Sequence, residues 1–395
     1  MLPVCLYFQV HQPYRLRRDY SFFDIGADHR YDDEALNRDV VQRVAERCYL
    51  PANEIILNLI RKYDGRFRVA FAITGTALEQ FRMYAPEVVS SFRKLVRSGC
   101  VELLGETYYH SLAFRFSQEE YHQQIKMHRR IMGELFEYEP TTLRNTELIY
   151  NNDLAQEAAD LGYRAILGEG ANQVLGWRTP DHVYRPVNNH SLALLLRNYR
   201  LSDDIAFRFA RTPTDANADP AEAWARRVRA RADAADVVNL FMDYETFGEH
   251  YDRTTGILDF LQGLPEALLR DNACAFHTPA EIAAEQSART DLDVPFSISW
   301  ADMEKDLTAW IGNPMQDAAL EDLYGMRADV LDAGDGQLFR DWRRLQSSDH
   351  FYYMCTKWAS DGQVHRHFNP FATPHDAYLV FTHVLNDIRY RLHAI

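Results

Sequence analysis

The chain has 395 residues, 47% of them hydrophobic and 25% charged, with a formal net charge of −14. That length allows one large globular domain and a smaller one. The acidic balance makes nucleic acid and anionic membranes poor partners, and no run approaches the roughly 18 consecutive apolar residues of a membrane span.

The predicted elements alternate between strand and helix over the first 280 residues or so. Leu2 to Val10 reads as a strand bounded by Pro13, and Leu36 to Tyr63 as a long helix broken near Pro51. Phe67 to Ile73 alternates as a strand does, and Pro86 to Arg97 is a helix stopped by Gly99. Val101 to Leu104 is a short strand, and Gln118 to Phe136 a helix with Ser117 at its N-cap. Thr142 to Thr146 and Arg164 to Leu167 read as strands flanking a helix over Asp153 to Leu161, while Leu192 to Asn198 fits either type. Ala221 to Ala235, Val237 to Met242, Gly256 to Leu269 and Ala273 to Phe276 continue the alternation, and Thr212 to Pro220 reads as a loop. This order argues for a parallel sheet with helices outside, either doubly wound or closed into a barrel. Near residue 285 the pattern turns helical. Gln316 to Ala333, Gly336 to Gln346 and Pro374 to His393 read as helices, the last with Thr373 at N-cap and Asp376 at N3. The expected division is therefore a domain over 1–285 and a helical one over 286–395.

Five cysteines at wide spacing, with no CxxC, suggest reduced structural thiols. The N-terminus enters a strand without a basic n-region or cleavage site. A cytoplasmic protein is the resulting expectation.

Polar clusters follow the strands, where parallel barrels build their active sites. His11 and Gln12 close strand 1, and Glu106, Tyr108 and His110 follow Val101 to Leu104. Glu147 and Asp243 each end a buried run, and a carboxylate there is costly unless something pairs with it. Arg208 follows an Asp203–Asp204 pair, which either orients a catalytic carboxylate or forms a structural salt bridge. The helical part adds Trp300, Trp310, Asp349 and His350. Tyr, Trp, Asp and His together suit carbohydrate, whose rings present C–H faces and whose hydroxyls seek carboxylate and amide partners. Each has a blander reading as well: a structural histidine, a core tryptophan, or a carboxylate paired with Arg144 or Arg208. GxGxxG after a strand, GxxxxGK[ST], HExxH and GxSxG are all absent. His365 and His367 form an isolated HxH. No cofactor or metal is expected.

His11-Gln12-Pro13, Gly99-Cys100-Val101-Glu102, Thr146-Glu147 and Asp243-Tyr244-Glu245-Thr246-Phe247-Gly248 resemble, in order, the motifs of glycoside hydrolase family 57, with Asp349 in a fifth region. The α-amylase-type branch is the most similar. The resemblance implies an irregular (β/α)7 barrel followed by a helical domain, acting on α-glucans or maltooligosaccharides with retention. It implies Glu147 as nucleophile and Asp243 as general acid/base, with His11, Glu102 and Asp349 at other motif positions. Retention requires two carboxyl groups roughly 5–5.5 Å apart. The alternatives are a 4-α-glucanotransferase or related transglycosylase, a catalytically silent glycan-binding protein, and a metal-dependent deacetylase using His11, His110 and Asp243.

Overall fold

The computed structural model describes residues 1–209, 219–357 and 369–394, apart from the side chain of Asp271. Most of the predicted Thr212 to Pro220 loop and the His365/His367 pair lie outside these residues. No helix among the described residues is long and apolar enough to cross a membrane.

Seven parallel strands form the barrel: β1 (Leu2–Val10), β2 (Val69–Ile73), β3 (Val101–Leu103), β4 (Thr142–Leu143), β5 (Ala165–Glu169), β7 (Ala193–Arg197) and β8 (Val238–Asp243). β1 pairs with β2 on one edge and β8 on the other, and β2 pairs with β3. A single parallel bridge, Gly105 to Leu143, joins this group to β4, which continues through β5 to β7. The closing seam between β7 and β8 is stitched largely by side chains. Asn239 Nδ2 donates to the Leu196 carbonyl at 3.0 Å, Arg197 Nε to the Phe241 carbonyl at 2.7 Å, and the Phe241 amide to Ser202 Oγ at 3.2 Å. β6 (Val183–Pro186) runs antiparallel to β7, β9 (Cys274–Phe276) extends β1 at its base, and β10 (Thr290–Leu292) pairs with β6. The result is an irregular (β/α)7 barrel with a helical region after it.

Period-2 alternation sorts each strand's side chains. Tyr7, Ala70, Ala72, Leu167, Leu195 and Phe241 fill the barrel interior. Their neighbours Phe8, Phe71, Ile73, Leu240 and Met242 face the surrounding helices. Burying each large apolar side chain is worth about 1.5–3 kcal/mol.

Helix limits mostly follow the sequence signals. Gln118–Phe136 is capped by Ser117, whose side chain accepts from Glu120 N. Pro374–Ala394 begins with the reciprocal Thr373–Asp376 box. The break expected at Pro51 is instead a π-helical turn over Ala45–Tyr49, after which Pro51 sits harmlessly in the first turn of Leu50–Lys62. The helix Gly75–Tyr84 starts directly off β2 with Thr74 as its cap, where the sequence reading saw only a strand end. Gln316 to Ala333 divides into Pro314–Gly325 and Arg327–Asp332.

The helical region is bolted to the barrel layer by a buried ion pair. Arg343 donates through Nε and Nη2 to the two oxygens of Glu120, at 2.8 and 3.0 Å. Removing one partner leaves a buried charge uncompensated. Arg343→Met is therefore expected to cost about 3–5 kcal/mol of unfolding free energy, and the double variant Glu120→Leu/Arg343→Met much less. Equilibrium urea denaturation of both variants measures the difference.

Candidate active site

The alternation that fills the barrel with apolar groups ends in polar ones. Gln9, Glu106, Glu169, Arg197 and Asp243 stand at or just beyond the carboxyl ends of their strands, with His11 and Thr74 on the next residues. Above them lies a cavity of about 390 Å³. Of the expected residues, His11, His110, Glu147, Arg208, Asp243, Trp300 and Asp349 line it.

Glu147 stands in a short turn (Thr146–Leu148) after β4 and is 3% exposed. It has φ 58° and ψ 26°, and Leu148 follows with φ 50°. Two consecutive non-glycine residues in the left-handed region are strained, so surrounding contacts must hold them. Trp300 supplies two: its amide donates to the Glu147 carbonyl at 3.2 Å, and its indole Nε1 to Glu147 Oε2 at 2.7 Å. Ser348 Oγ donates to Oε1 at 2.9 Å, and His110 Nε2 lies 3.5 Å from the same oxygen.

His11 and His110 stack with ring centroids 4.0 Å apart. Burial works against a charge on His110, but the carboxylates of Glu106 and Glu147 outweigh it and push the ring up to about 9. Its Nδ1 is 3.3 Å from Glu106, which also accepts from Gln9 Nε2 at 3.2 Å. His11 is pushed down, first by burial and then by His110, against the pull of Asp349. Two stacked imidazoles thus share one charge. A neutral His11 donates Nε2–H to Asp349 at 2.7 Å and accepts at Nδ1 from Thr74 Oγ1 at 3.0 Å. Ser347 Oγ also donates to Asp349, at 2.7 Å.

Beside Asp243, Glu245 also lines the cavity. Burial, and then the charge of Asp243, raise it to about 8, although Tyr49 OH donates to it at 2.5 Å. The sequence reading did not single it out as a site residue. Its signal was available as a second carboxylate two residues from Asp243, in a run with no packing need for either.

Other expected site residues stand elsewhere. Trp310 is fully buried in the core of the helical region, and His350 packs on Phe381 and Tyr353. Burial, opposed by Asp349, lowers His350 to about 4. Gln12 faces away, donating to Tyr49 OH and accepting from Arg15. Tyr108 donates to Glu79 at 2.8 Å, and its ring fills the space a side chain at Gly75 would take. Glu106 is one layer below, bound to Gln9 and His110. Glu102 faces the barrel floor and accepts from the Ala280 amide at 2.8 Å. The Asp203–Asp204 pair forms salt bridges: Asp203 with Arg197, and Asp204 with Arg208 and Arg227. Among the described residues, no group of three His, Cys, Asp or Glu could hold a metal ion; His11 and His110 stack instead of converging.

The raised His110 value makes a sign-specific prediction. A folded-state pKa above the unfolded value near 6.5 stabilises fully below that pH. The contribution, on the order of 3 kcal/mol, is lost as pH rises through about 9. The stability advantage of wild type over His110→Gln should shrink across that window in urea titrations at successive pH values.

The sequence model described as glycosyl hydrolase family 57 matches residues 5–295. A Methanocaldococcus jannaschii protein named "Putative alpha-amylase" is 39% identical over 394 residues, covering 97% of this chain and 83% of that one. Among solved structures, an alpha-amylase from Thermotoga maritima superposes with a TM-score of 0.65 at 14% identity, over 99% of this chain and 93% of its own. A 4-alpha-glucanotransferase from Thermococcus litoralis gives 0.67 at 14% identity, over 89% of this chain and 56% of its own. At that identity the superpositions speak for the fold, whereas the matched model and the sequence relative carry the assignment: the chain belongs to glycosyl hydrolase family 57.

Proposed function

We propose that the chain is a retaining, α-amylase-like hydrolase of α-1,4-glucans, with Glu147 as nucleophile and Asp243 as general acid/base. In this reading residues 1–285 form the catalytic barrel, and 286–395 supply the rest of the cleft, including Trp300 and Asp349. The observation that carries it is one cavity lined by two strand-end carboxylates, one of them held by several hydrogen-bond donors.

The chemistry is a double displacement. Glu147 attacks the anomeric carbon while Asp243 protonates the departing glycosidic oxygen, giving a covalent glycosyl-enzyme. Asp243, now ionised, takes a proton from water, and the hydroxide equivalent displaces Glu147. Donors on Glu147 favour its anion, which the first step requires. His11, Asp349, Arg208 and Tyr352 line the cavity and would meet sugar hydroxyls. If a sugar hydroxyl replaces water in the second step, the same site performs glucanotransfer. The name of the Thermococcus litoralis neighbour makes that the second reading.

Maltoheptaose separates the outcomes. Wild type should cleave it, Asp243→Asn should lose about 10²–10⁴-fold in kcat/KM, and Glu147→Gln should form no covalent adduct in mass spectra. Only shorter products mean hydrolysis, and products both shorter and longer mean transfer. Equal turnover in all three proteins sinks the proposal, and binding without cleavage marks a silent glycan-binding protein.

A further inference from the structure

A tryptophan lining a sugar cleft invites the reading of a stacking platform, but the surroundings of Trp300 point elsewhere. Two guanidinium groups already lie over its ring, Arg144 at 4.8 Å and Arg197 at 5.9 Å from the centroid. Arg144 is fully buried, and none of its guanidinium nitrogens has a hydrogen-bond partner among the described residues. A buried cation without such partners is costly, and an aromatic face is one of the few groups that compensates it. Arg197 is anchored by Glu169 at 3.1 Å, by Asp203 and by the Phe241 carbonyl. Trp300 is therefore fixed by its π-face to two immobile cations.

Its polar edge is equally committed. The indole N–H and the backbone amide of the same residue both bind Glu147, at the carboxylate Oε2 and at the carbonyl of the strained turn. The 299–306 loop is locked behind it, since Lys305 Nζ donates to the Trp300 carbonyl at 3.0 Å and Ser299 Oγ to the Asp306 carbonyl at 2.6 Å. A cation over the ring withdraws density from the indole and makes its N–H a stronger donor.

We propose that Trp300 is a positioning residue for Glu147, acting through its indole N–H under the field of Arg144 and Arg197, and is not a sugar platform. The proposal rests on Glu147 being the nucleophile. Phenylalanine keeps a ring face but has no N–H, so Trp300→Phe and Trp300→Ala separate the two roles. A positioning role predicts that Trp300→Phe lowers kcat on maltoheptaose by about 10- to 100-fold with KM nearly unchanged. The acidic limb of its kcat/KM profile should move to higher pH, because the Glu147 anion has lost a donor. Trp300→Ala should lose kcat to a similar degree. Near-normal kcat in the Phe variant, with a raised KM only in the Ala variant, overturns the proposal in favour of a platform.

A second measurement is independent of turnover. In protein labelled with ¹³C-glutamate, the Glu147 side-chain carboxyl signal is identified by its loss in Glu147→Gln. Its titration midpoint should rise by about one pH unit or more in Trp300→Phe. An unmoved midpoint overturns the proposal. If wild type leaves α-glucans uncleaved but the midpoint moves, the hydrolase reading fails while the role of Trp300 toward Glu147 stands.

Discussion

The structure depends on holding one buried carboxylate in a backbone conformation that its residue type resists. Glu147 is nearly inaccessible and left-handed, and so is the residue after it. Burial opposes the charge, and sterics oppose the turn. Both costs are met by groups from three separate parts of the chain: His110 after β3, Trp300 after the last strands, and Ser348 in the helical region. The barrel supplies the carboxylate and His110, and the later segments supply the rest of its environment.

That division explains why the helical region is fastened so firmly. Ser348 reaches Glu147 only if the 346–349 segment keeps its register against the barrel. Its amide donates to the His110 carbonyl at 2.9 Å, forming part of a bridge between Ser111 and Ser347. Gln124 donates to Gln346 at 2.8 Å and accepts from Ser111 Oγ at 2.9 Å. The Glu120–Arg343 pair then ties helix Gln118–Phe136 to helix Gly336–Arg344 one turn away. Buried polar links of this kind are poor sources of net stability but sources of geometric definition. Here the definition is spent on two side chains of one segment, Ser348 and Asp349, both hydrogen-bonded to groups in the cavity.

Much of the fold was legible because alternation of apolar residues carries strand and barrel together. Phe67 to Ile73 shows both faces, Ala70 and Ala72 being small because they point into the crowded interior. β6 and β10 were not legible: β6 ends in Arg185 and Pro186 and β10 has a single apolar residue, Leu292, so neither shows an apolar run. At the site, expected residues directly following strands line the cavity, since strand ends converge by topology. Expected residues stand outside the cavity lining where a polar or aromatic residue lies one position off the inward-facing series or in helical packing. Gln12 follows His11 and so faces the opposite side. Tyr108 is turned down onto Glu79, and Trp310 and His350 lie in helical packing that local sequence does not distinguish from a cleft wall. Trp300 was legible only as an aromatic; its indole bond to Glu147 and its two neighbouring guanidinium groups are visible only in the fold.

The distribution of protons completes the physical account. The carboxyl groups of Glu106, Glu147, Asp243, Glu245 and Asp349 are among those crowded into or just beneath one cavity, and like charges so close cannot all be ionised without compensation. Glu106 and Glu147 share the His110 cation, and Asp349 has the His11 and Ser347 donors. Glu245 has Tyr49, a neutral donor, and keeps its proton up to about pH 8. Its neutrality spares Asp243 a second negative charge two residues away. Ionising Glu245 places that charge beside Asp243, so the two titrate as a pair. A double displacement needs one carboxyl that stays charged and another that can gain and lose a proton in each cycle. His110, Trp300 and Ser348 gather around Glu147, and the proton-bearing Glu245 stands two residues from Asp243. Both arrangements are built into the fold before any substrate enters.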